Sequence, residues 1–366
     1  MKRLAVLGST GSIGRQALEI AAGSGGRLVV SALCARGGGS LLEQQAERFG
    51  TAIVIDAAPD RPSRFRGMEA LEEAVASSDL VLNAISGGAG LEASVICARA
   101  GKPLALANKE SLVIGGQLLQ GHLGAGLVIP VDSEHSTIWR CLAGERKKPA
   151  GIILTASGGA VRDMSPGQAA AAGPETVLRH PTWSMGPRIT VDSATLVNKA
   201  FEVIEAHWLF PGIPVSAVLH PQSIVHSLVR LADGSMKGLL GSPDMRLPIQ
   251  HALLGGDSEP VFVSTDSPTD WPPLAFSAIP GDLYPAFGLV CGAGEAGMTS
   301  PAAANAADEV AVSAFLEGRI RLGGIAEVIG AVLERFEPFP ADSFEAVMEA
   351  DRSARALAES ALEAMR

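Results

Sequence analysis

The start of the chain constrains the fold most, because it joins an apolar run, a glycine-rich turn and an amphipathic run. Residues 2–7 are typical of a buried strand, residues 8–14 have the spacing G-x-x-G-x-x-G, and residues 15–22 have helical periodicity. This order indicates a phosphate site, because backbone N–H groups and a helix N-terminus face the anion. The commoner spacing is G-x-G-x-x-G, so a tight turn without a ligand is the alternative.

Strands and helices continue to alternate up to residue 107. Strands are predicted at residues 28–33, 52–55, 80–84 and 104–107, and helices at residues 41–49, 71–76 and 91–100. This alternation predicts an α/β fold with an N-terminal Rossmann-like doubly wound parallel sheet. Ligands bind at the carboxyl ends of such strands, where residues 86–90 form a glycine-rich loop and Lys109 is placed to meet an anion or a carbonyl. An ordinary surface lysine is the alternative.

The turn after the second predicted strand indicates which nicotinamide cofactor is bound. An acidic residue there would accept a hydrogen bond from the ribose of NAD, whereas an arginine accommodates the additional phosphate of NADP. Arg36 and Gly37 occupy this turn, with no carboxylate beside them in the sequence. The turn therefore favours NADPH, and a surface arginine beside a flexible turn is the alternative.

A pair of carboxylates follows the apolar residues 127–129 and Pro130. In an extended backbone, side chains two residues apart point the same way, so Asp132 and Glu134 are predicted to share one face with Ser133 between them. Two such carboxylates form half of a site for a hard metal ion. A solvated strand end is the alternative, since acidic residues are mostly exposed.

A third carboxylate lies in the densest polar stretch, between residues 180 and 205. On a helix, Asn198, Lys199 and Glu202 would share a face, because they are three and four residues apart. Asn198 and Lys199 suit a phosphate or hydroxyl groups, and Glu202 suits the third position on Mg²⁺ or Mn²⁺. Glu205 is left open as an exposed partner of a basic neighbour.

Other polar residues are weaker candidates. The small-residue loop 156–160 offers a hydroxyl and several amides to a phosphate, although a plain turn explains it nearly as well. His220 and His226 are each interpreted on local grounds as hydrogen-bonded structural histidines. His226 is nevertheless kept as a candidate substrate contact.

Size and composition limit the function classes. A chain of 366 residues predicts two or three domains, and a net charge of -10 argues against a nucleic-acid partner or a basic membrane patch. No apolar run approaches the ~20 residues of a membrane span. The four cysteines form no C-x-x-C pair, and the N-terminus enters a strand directly, so we expect a cytoplasmic protein.

Changes in composition along the chain predict four regions. They are an NADPH-binding domain at residues 1–130, a central α+β catalytic domain at 131–256, a linker rich in Pro, Ser and Thr at 257–285, and a C-terminal helical bundle at 286–366.

The motifs together resemble those of the 1-deoxy-D-xylulose 5-phosphate reductoisomerase family. Matching blocks occur in order along nearly the whole chain. They are G-S-T-G-S-I-G from Gly8, A-N-K-E-S-L from Ala107, V-D-S-E-H from Val131, H-P-T-W-S-M-G from His180, V-D-S-A-T-L-V-N-K-A-F-E-V-I-E from Val191, H-P-Q-S-I-V-H-S from His220, G-S-P-D-M-R from Gly241 and N-A-A-D-E-V-A-V-S-A-F-L from Asn305.

The resemblance implies an NADPH-dependent enzyme of the non-mevalonate isoprenoid pathway that acts on a sugar phosphate and assembles as a homodimer. It implies one divalent metal per subunit, held by Asp132, Glu134 and Glu202. The implied substrate contacts are Lys109, Ser133, Ser157, His180, Ser193, Asn198 and Lys199, with Trp183 and Met185 on a loop that covers the site. The implied NADPH contacts are Thr10, Gly11, Ser12, Ile13, Asn108, Glu110 and Gly186.

One departure from the family pattern affects the cofactor site. Related sequences usually place an Asn in the turn after the second strand, whereas this chain has Arg36 and Gly37 there. Because the usual Asn is absent, the contacts of the adenosine phosphate are expected to differ in detail, although Arg36 keeps a basic group in the turn.

The reaction implied by the resemblance is an isomerisation to a branched aldehyde followed by hydride transfer from NADPH. Lys109 would donate to the developing oxyanion or assist proton transfer, and the sequence leaves both roles open. Two other functions are weighed against it. A metal-independent NADP dehydrogenase of an amino-acid semialdehyde leaves the carboxylates unexplained, and a non-catalytic NADPH-binding regulator explains only the glycine loop.

Overall fold

The computed structural model describes residues 1–58, 66–179, 186–256 and 259–365. The chain forms two compact units. The first unit comprises residues 1–111, 119–136 and 244–265, and the second comprises residues 112–118, 137–243 and 266–366.

The strands of the described residues are, in chain order, β1 (Lys2–Leu7), β2 (Leu28–Ala35), β3 (Ile53–Asp56), β4 (Leu80–Asn83), β5 (Leu104–Leu106), β6 (Val128–Pro130), β7 (Gly151–Ala156), β8 (Val215–Leu219), β9 (Val225–Arg230) and β10 (Met236–Leu240). The helices are α1 (Ser12–Gly23), α2 (Gly39–Phe49), α3 (Leu71–Ala76), α4 (Leu91–Arg99), α5 (Glu110–Gly115), α6 (Gln120–Gly124), α7 (Ser133–Leu142), α8 (Pro166–Ala170), α9 (Pro174–Val177), α10 (Pro187–Thr195), α11 (Val197–Leu209), α12 (Arg246–Leu254), α13 (Pro285–Ala296), α14 (Ser300–Leu316), α15 (Leu322–Arg335) and α16 (Phe344–Ala364).

The first unit is built on a parallel sheet, as the alternating pattern predicts. Its described strands pair in the order β3-β2-β1-β4-β5-β6, and every pair is parallel. This order is that of a Rossmann-type doubly wound sheet. The Rossmann-like prediction is confirmed, and the predicted strand and helix bounds agree with the observed ones to within a few residues.

The core of the first unit includes a helix from far along the chain. Ile249, Ala252 and Leu253 of α12 are buried with Leu18 and Ile20 of α1. Ala252 and Leu253 follow Ile249 by three and four residues, so the three side chains form one apolar stripe. α12 lies within the predicted catalytic domain but packs with the first unit, because an apolar stripe does not specify its partner.

The extended backbone predicted for residues 131–134 is wrong. Of these four residues, Val131 and Asp132 lie before α7, and the other two belong to this helix, which begins at Ser133. Ser136 N donates to Asp132 O at 2.8 Å, and Glu134 N donates to Asp132 Oδ1 at 3.2 Å. Asp132 thus satisfies N–H groups at the start of the helix, as acidic residues commonly do. Asp132 and Glu134 are neighbours through this turn and not through strand alternation.

The second unit combines a mixed sheet with helices. Its described strands pair in the order β10-β9-β7-β8, with β7 and β8 parallel and β9 antiparallel to both its neighbours. Ile152 and Leu154 of β7 pack with Phe210, which follows α11. Farther along, α14 is buried along most of its length and packs against α15 and α16, which confirms the predicted C-terminal helices.

The predicted linker contains little regular structure in its described part, where one short helical turn covers Pro268–Asp270. Gln250 fixes the earlier part, since its side chain bonds to the main chain of Val261 and Phe262. Among the described residues, no helix is both long and apolar enough to cross a membrane.

We predict that Gly14→Ala lowers the free energy of unfolding by about 1–3 kcal/mol, because the site has no room for a side chain. A Cβ at Gly14 would lie 2.3 Å from Gly8 O. Gly121 in α6 is the matched control, since no heavy atom lies within 4 Å of a Cβ built there. Gly121→Ala should leave stability unchanged or raise it by up to about 1 kcal/mol. Urea denaturation measures both, and equal effects would contradict the packing argument.

Candidate active site

The glycine loop contains two glycines that the backbone packing requires and several residues that are accessible to a ligand. Gly8 has φ 87°, and a Cβ there would lie 2.3 Å from Ala84 O. Gly8 and Gly14 are therefore required for close backbone approach. Gly11 and Ser12, at the start of α1, are exposed, with Thr10 and Ile13 half-buried. A helix N-terminus with accessible N–H groups is suited to an anion.

The turn after β2 is hydrogen-bonded to a carboxylate that was not predicted from the sequence. Asp56, at the end of β3, is 1% exposed, and its Oδ1 accepts hydrogen bonds from Gly37 N at 2.7 Å and Ala58 N at 3.0 Å. No carboxylate lies beside Arg36 in the sequence, but the fold brings the Asp56 carboxylate to the neighbouring Gly37. Because Asp56 is buried and bonded to the main chain, it fixes the turn, while Arg36 is exposed.

The turn after β5 positions a lysine. Asn108 is 2% exposed, and its amide nitrogen lies 2.7 Å from Ile85 O and 2.9 Å from Gly87 O. Glu110 Oε1 accepts from Gly87 N at 3.1 Å. Both side chains, predicted as NADPH contacts, therefore hold the loop after β4, and their contact with the cofactor stays a prediction.

Lys109, between them, is largely buried, and its Nζ lies 3.0 Å from Asp132 Oδ2. Asp132 is also near His135, whose Nδ1 is 3.4 Å from Oδ1. Ser133 Oγ donates to Glu134 Oε2 at 2.5 Å. His135 is fully buried and was missed by the sequence analysis, although its i,i+3 spacing from Asp132 was a usable signal.

The second unit carries the third predicted carboxylate. Glu202 is 1% exposed, and its Oε1 accepts from Asn198 Nδ2 at 2.7 Å, while Oε2 pairs with Lys199 Nζ. The predicted shared helical face is thus confirmed. Glu205, left open as an exposed residue, is buried.

Two serines of the second unit belong to neighbouring segments. Ser157 Oγ accepts from Gly159 N at 3.2 Å in the loop after β7. That loop packs closely on α10, since a Cβ at Gly159 would lie 2.8 Å from Ser193 O. Gly158 and Gly159 both have positive φ, 81° and 63°, so the loop depends on glycine here.

The remaining predicted residues divide into three groups. Gly186 is exposed at the start of α10, and His226 is half-buried on β9. His220 is structural, since its Nδ1 lies 2.8 Å from Ala275 O, its Nε2 accepts from Val225 N, and burial lowers its pKa. His180, Trp183 and Met185 lie outside the described residues.

Comparison with known proteins places these features in one family. Sequence profiles of 1-deoxy-D-xylulose 5-phosphate reductoisomerase match residues 4–116, and profiles of its C-terminal regions match residues 128–210 and 240–357. The reductoisomerase of Moorella thermoacetica is 42% identical over 372 residues, which cover 97% of this chain and 96% of that protein. The chain belongs to the 1-deoxy-D-xylulose 5-phosphate reductoisomerase family.

Further relatives support the assignment to the reductoisomerase family. The enzyme of Paraburkholderia phymatum is 42% identical, over 97% of this chain and 94% of that protein. A crystal structure of a reductoisomerase with NADPH, fosmidomycin and magnesium has a TM-score of 0.93 at 32% identity, covering 100% of this chain and 99% of that chain. The Zymomonas mobilis enzyme in complex with NADPH has a TM-score of 0.87 at 35% identity, covering 99% of both chains.

We predict that Asp56→Ala lowers the free energy of unfolding by about 1–3 kcal/mol, because Gly37 N and Ala58 N lose the buried carboxylate that accepts their hydrogen bonds. Asp163→Ala is the control, since that side chain is 84% exposed. The free energy of unfolding of Asp163→Ala, measured by urea denaturation, should remain close to that of the wild type. Equal stability of the two variants would show that Asp56 does not fix the turn.

Proposed function

We propose that the chain catalyses the NADPH- and divalent-metal-dependent conversion of 1-deoxy-D-xylulose 5-phosphate to 2-C-methyl-D-erythritol 4-phosphate in the non-mevalonate isoprenoid pathway. The observation that carries this proposal is the match to reductoisomerases along nearly the whole of both chains. The reaction is an isomerisation of the carbon skeleton followed by reduction of the resulting aldehyde.

The first unit would bind NADPH. Its accessible residues at the start of α1, Thr10, Gly11, Ser12 and Ile13, suit the pyrophosphate. Arg36 and Gly37, in the turn fixed by Asp56, suit the adenosine phosphate. Gly186 is proposed as a further NADPH contact.

The donor chemistry of the chain fits a hard divalent cation. Asp132, Glu134 and Glu202 offer only carboxylate oxygens, which suit Mg²⁺ or Mn²⁺. We assign these three residues as the metal ligands. The ion, when bound, would polarise the substrate carbonyl and stabilise charge on oxygen.

The second unit contains the four residues assigned to the substrate phosphate, namely Ser157, Ser193, Asn198 and Lys199. Asn198 and Lys199 already direct an amide and an ammonium to one point, the Glu202 carboxylate. Lys109 and Ser133 would contact the polar chain of the substrate, together with His180 and His226. Trp183 and Met185 are assigned to a covering loop that excludes water.

We predict that Glu202→Gln lowers turnover by about two orders of magnitude, because a neutral amide is a poorer ligand than a carboxylate. Glutamine keeps the size of the side chain and one of the two oxygen acceptors, so the variant should fold with reduced stability, which circular dichroism checks. NADPH absorbance with substrate and Mg²⁺ or Mn²⁺ measures turnover, and calorimetry measures metal binding.

The matched control is Glu145→Gln, since Glu145 is also paired with a lysine, Lys237, at 3.0 Å. It should retain wild-type turnover and metal affinity. Unchanged metal binding in Glu202→Gln would reject Glu202 as a ligand. Absence of NADPH oxidation by the wild type under every metal condition would reject the proposed function, and activity that survives EDTA would favour a metal-independent dehydrogenase.

A homodimer and a cytoplasmic location belong to the same proposal. β10 stands at the end of the described strand order of its sheet, and its Met236 and Leu240 are 53% and 52% exposed. Exposed apolar residues on an edge strand favour association with a second copy. The cysteines are free thiols, which suits a reducing compartment.

We predict that Leu240→Lys weakens the homodimer, because a charge would be buried in the interface. Light scattering over a dilution series should show dissociation at higher concentration than in the wild type. Leu41→Lys is the control, since Leu41 is an exposed leucine of the first unit, 37% exposed. A monomeric wild type, or equal behaviour of both variants, would contradict the proposed interface.

A further inference from the structure

A hydrogen-bonded series of buried polar side chains, here called the polar series, ends at the turn that carries Lys109. Asn83, Ser94 and Ser111 are each 0% exposed and belong to β4, α4 and α5. Asn83 Nδ2 lies 2.9 Å from Ser94 Oγ, Ser94 Oγ lies 2.9 Å from Ser111 Oγ, and Ser111 Oγ lies 2.5 Å from Asn108 Oδ1. Polar groups are costly to bury unless every one has a partner, and here each one has.

The backbone fixes the direction of the polar series at both ends. Ser111 N donates to Asn108 Oδ1 at 3.0 Å, so that oxygen is an acceptor and the Ser111 hydroxyl must donate to it. The Ser111 oxygen then accepts from Ser94. At the other end, Ile85 N donates to Asn83 Oδ1 at 3.2 Å, which turns the amide nitrogen of Asn83 toward Ser94. One arrangement of protons therefore satisfies the whole polar series.

The polar series is hydrogen-bonded to the loop after β4 and to the turn after β5. Asn83 O accepts from Ala107 N and Asn108 N, and Asn83 Nδ2 also donates to Gly90 O at 2.8 Å. Asn108 in turn holds the carbonyls of Ile85 and Gly87. A Cβ at Gly90 would lie 2.5 Å from the Asn108 side chain, so only glycine allows this close approach.

We infer that Asn83, Ser94 and Ser111 are positioning residues, which set the loop after β4 and the turn bearing Lys109 for NADPH binding and turnover. None of the three was identified by the sequence analysis. The inference rests on the proposed function for its catalytic readout only, because cofactor affinity is measured separately. A purely structural role predicts lost stability alone, whereas a positioning role predicts altered cofactor binding in a folded protein.

Ser94→Ala and Ser111→Ala test the inference. Each should raise the Kd for NADPH, measured by cofactor fluorescence, and lower kcat/KM by about tenfold, because small displacements of positioned groups are costly in rate. The double variant should have the same Kd and kcat/KM as Ser111→Ala, since the hydrogen bonds of the polar series depend on one another. Ser94→Thr keeps the hydroxyl, so its Kd and kcat/KM should lie closer to the wild-type values than those of Ser94→Ala, while its added methyl group lowers stability.

Ser78→Ala is the matched control. Ser78 is also 0% exposed and hydrogen-bonded, to Ala74 O at 2.7 Å, but it precedes β4 and so lies at the opposite edge of the sheet. It should lose thermal stability to a similar degree while its Kd and kcat/KM stay within about twofold of wild type.

If Ser78→Ala changed the Kd and kcat/KM as much as Ser94→Ala and Ser111→Ala do, the inference would be overturned. If Ser111→Ala fails to fold, Ser94→Ala against Ser94→Thr decides the same question. A wild type that binds NADPH without turning over the substrate would reject the proposed function, while the NADPH affinities still test the positioning role. A wild type that binds no NADPH would reject both.

Discussion

Parallel strand pairing is the constraint on which the first unit depends. It brings the carboxyl ends of neighbouring strands to one edge, so the loops after β1, β4 and β5 are forced close together. The glycines follow from this crowding. Gly8 has no room for a side chain against Ala84 O, and Gly90 has none against Asn108. The sequence motif therefore reflects loop packing as much as ligand binding.

Much of this architecture follows from local sequence rules. Apolar runs separated by helical periodicity suffice to place the strands, and i,i+3 and i,i+4 spacing suffices to place Asn198, Lys199 and Glu202 on one face. Both rules depend on neighbours in sequence alone. They succeed wherever the structure adds no competing interaction.

The predictions from the sequence are wrong or incomplete where the structure depends on interactions between distant residues or on competing local hydrogen bonds. Asp132 was predicted in a strand, but its carboxylate accepts a helical N–H and so begins α7 instead. Asp56 is nineteen residues from Gly37, and only the pairing of β2 with β3 brings them together. α12 shows an apolar stripe that is equally suited to several partners. The hydrogen bonds from Asn83 to Asn108 join three elements that meet only in the fold, so the periodicity of any one element does not reveal them.

The charge distribution explains how an acidic chain serves anionic ligands. The net charge is -10, yet the two lysines assigned to the substrate are each held beside a carboxylate, Lys109 at Asp132 and Lys199 at Glu202. Burial makes each pair necessary, since an uncompensated buried charge costs several kcal/mol. On the proposed assignment the same carboxylates are metal ligands. A divalent cation would then balance the carboxylates, and the ammonium groups would be available to the phosphate and the polar chain of the substrate. Lysine serves this exchange better than arginine, because its single ammonium on a flexible stem can change partners without the loss of a bidentate geometry.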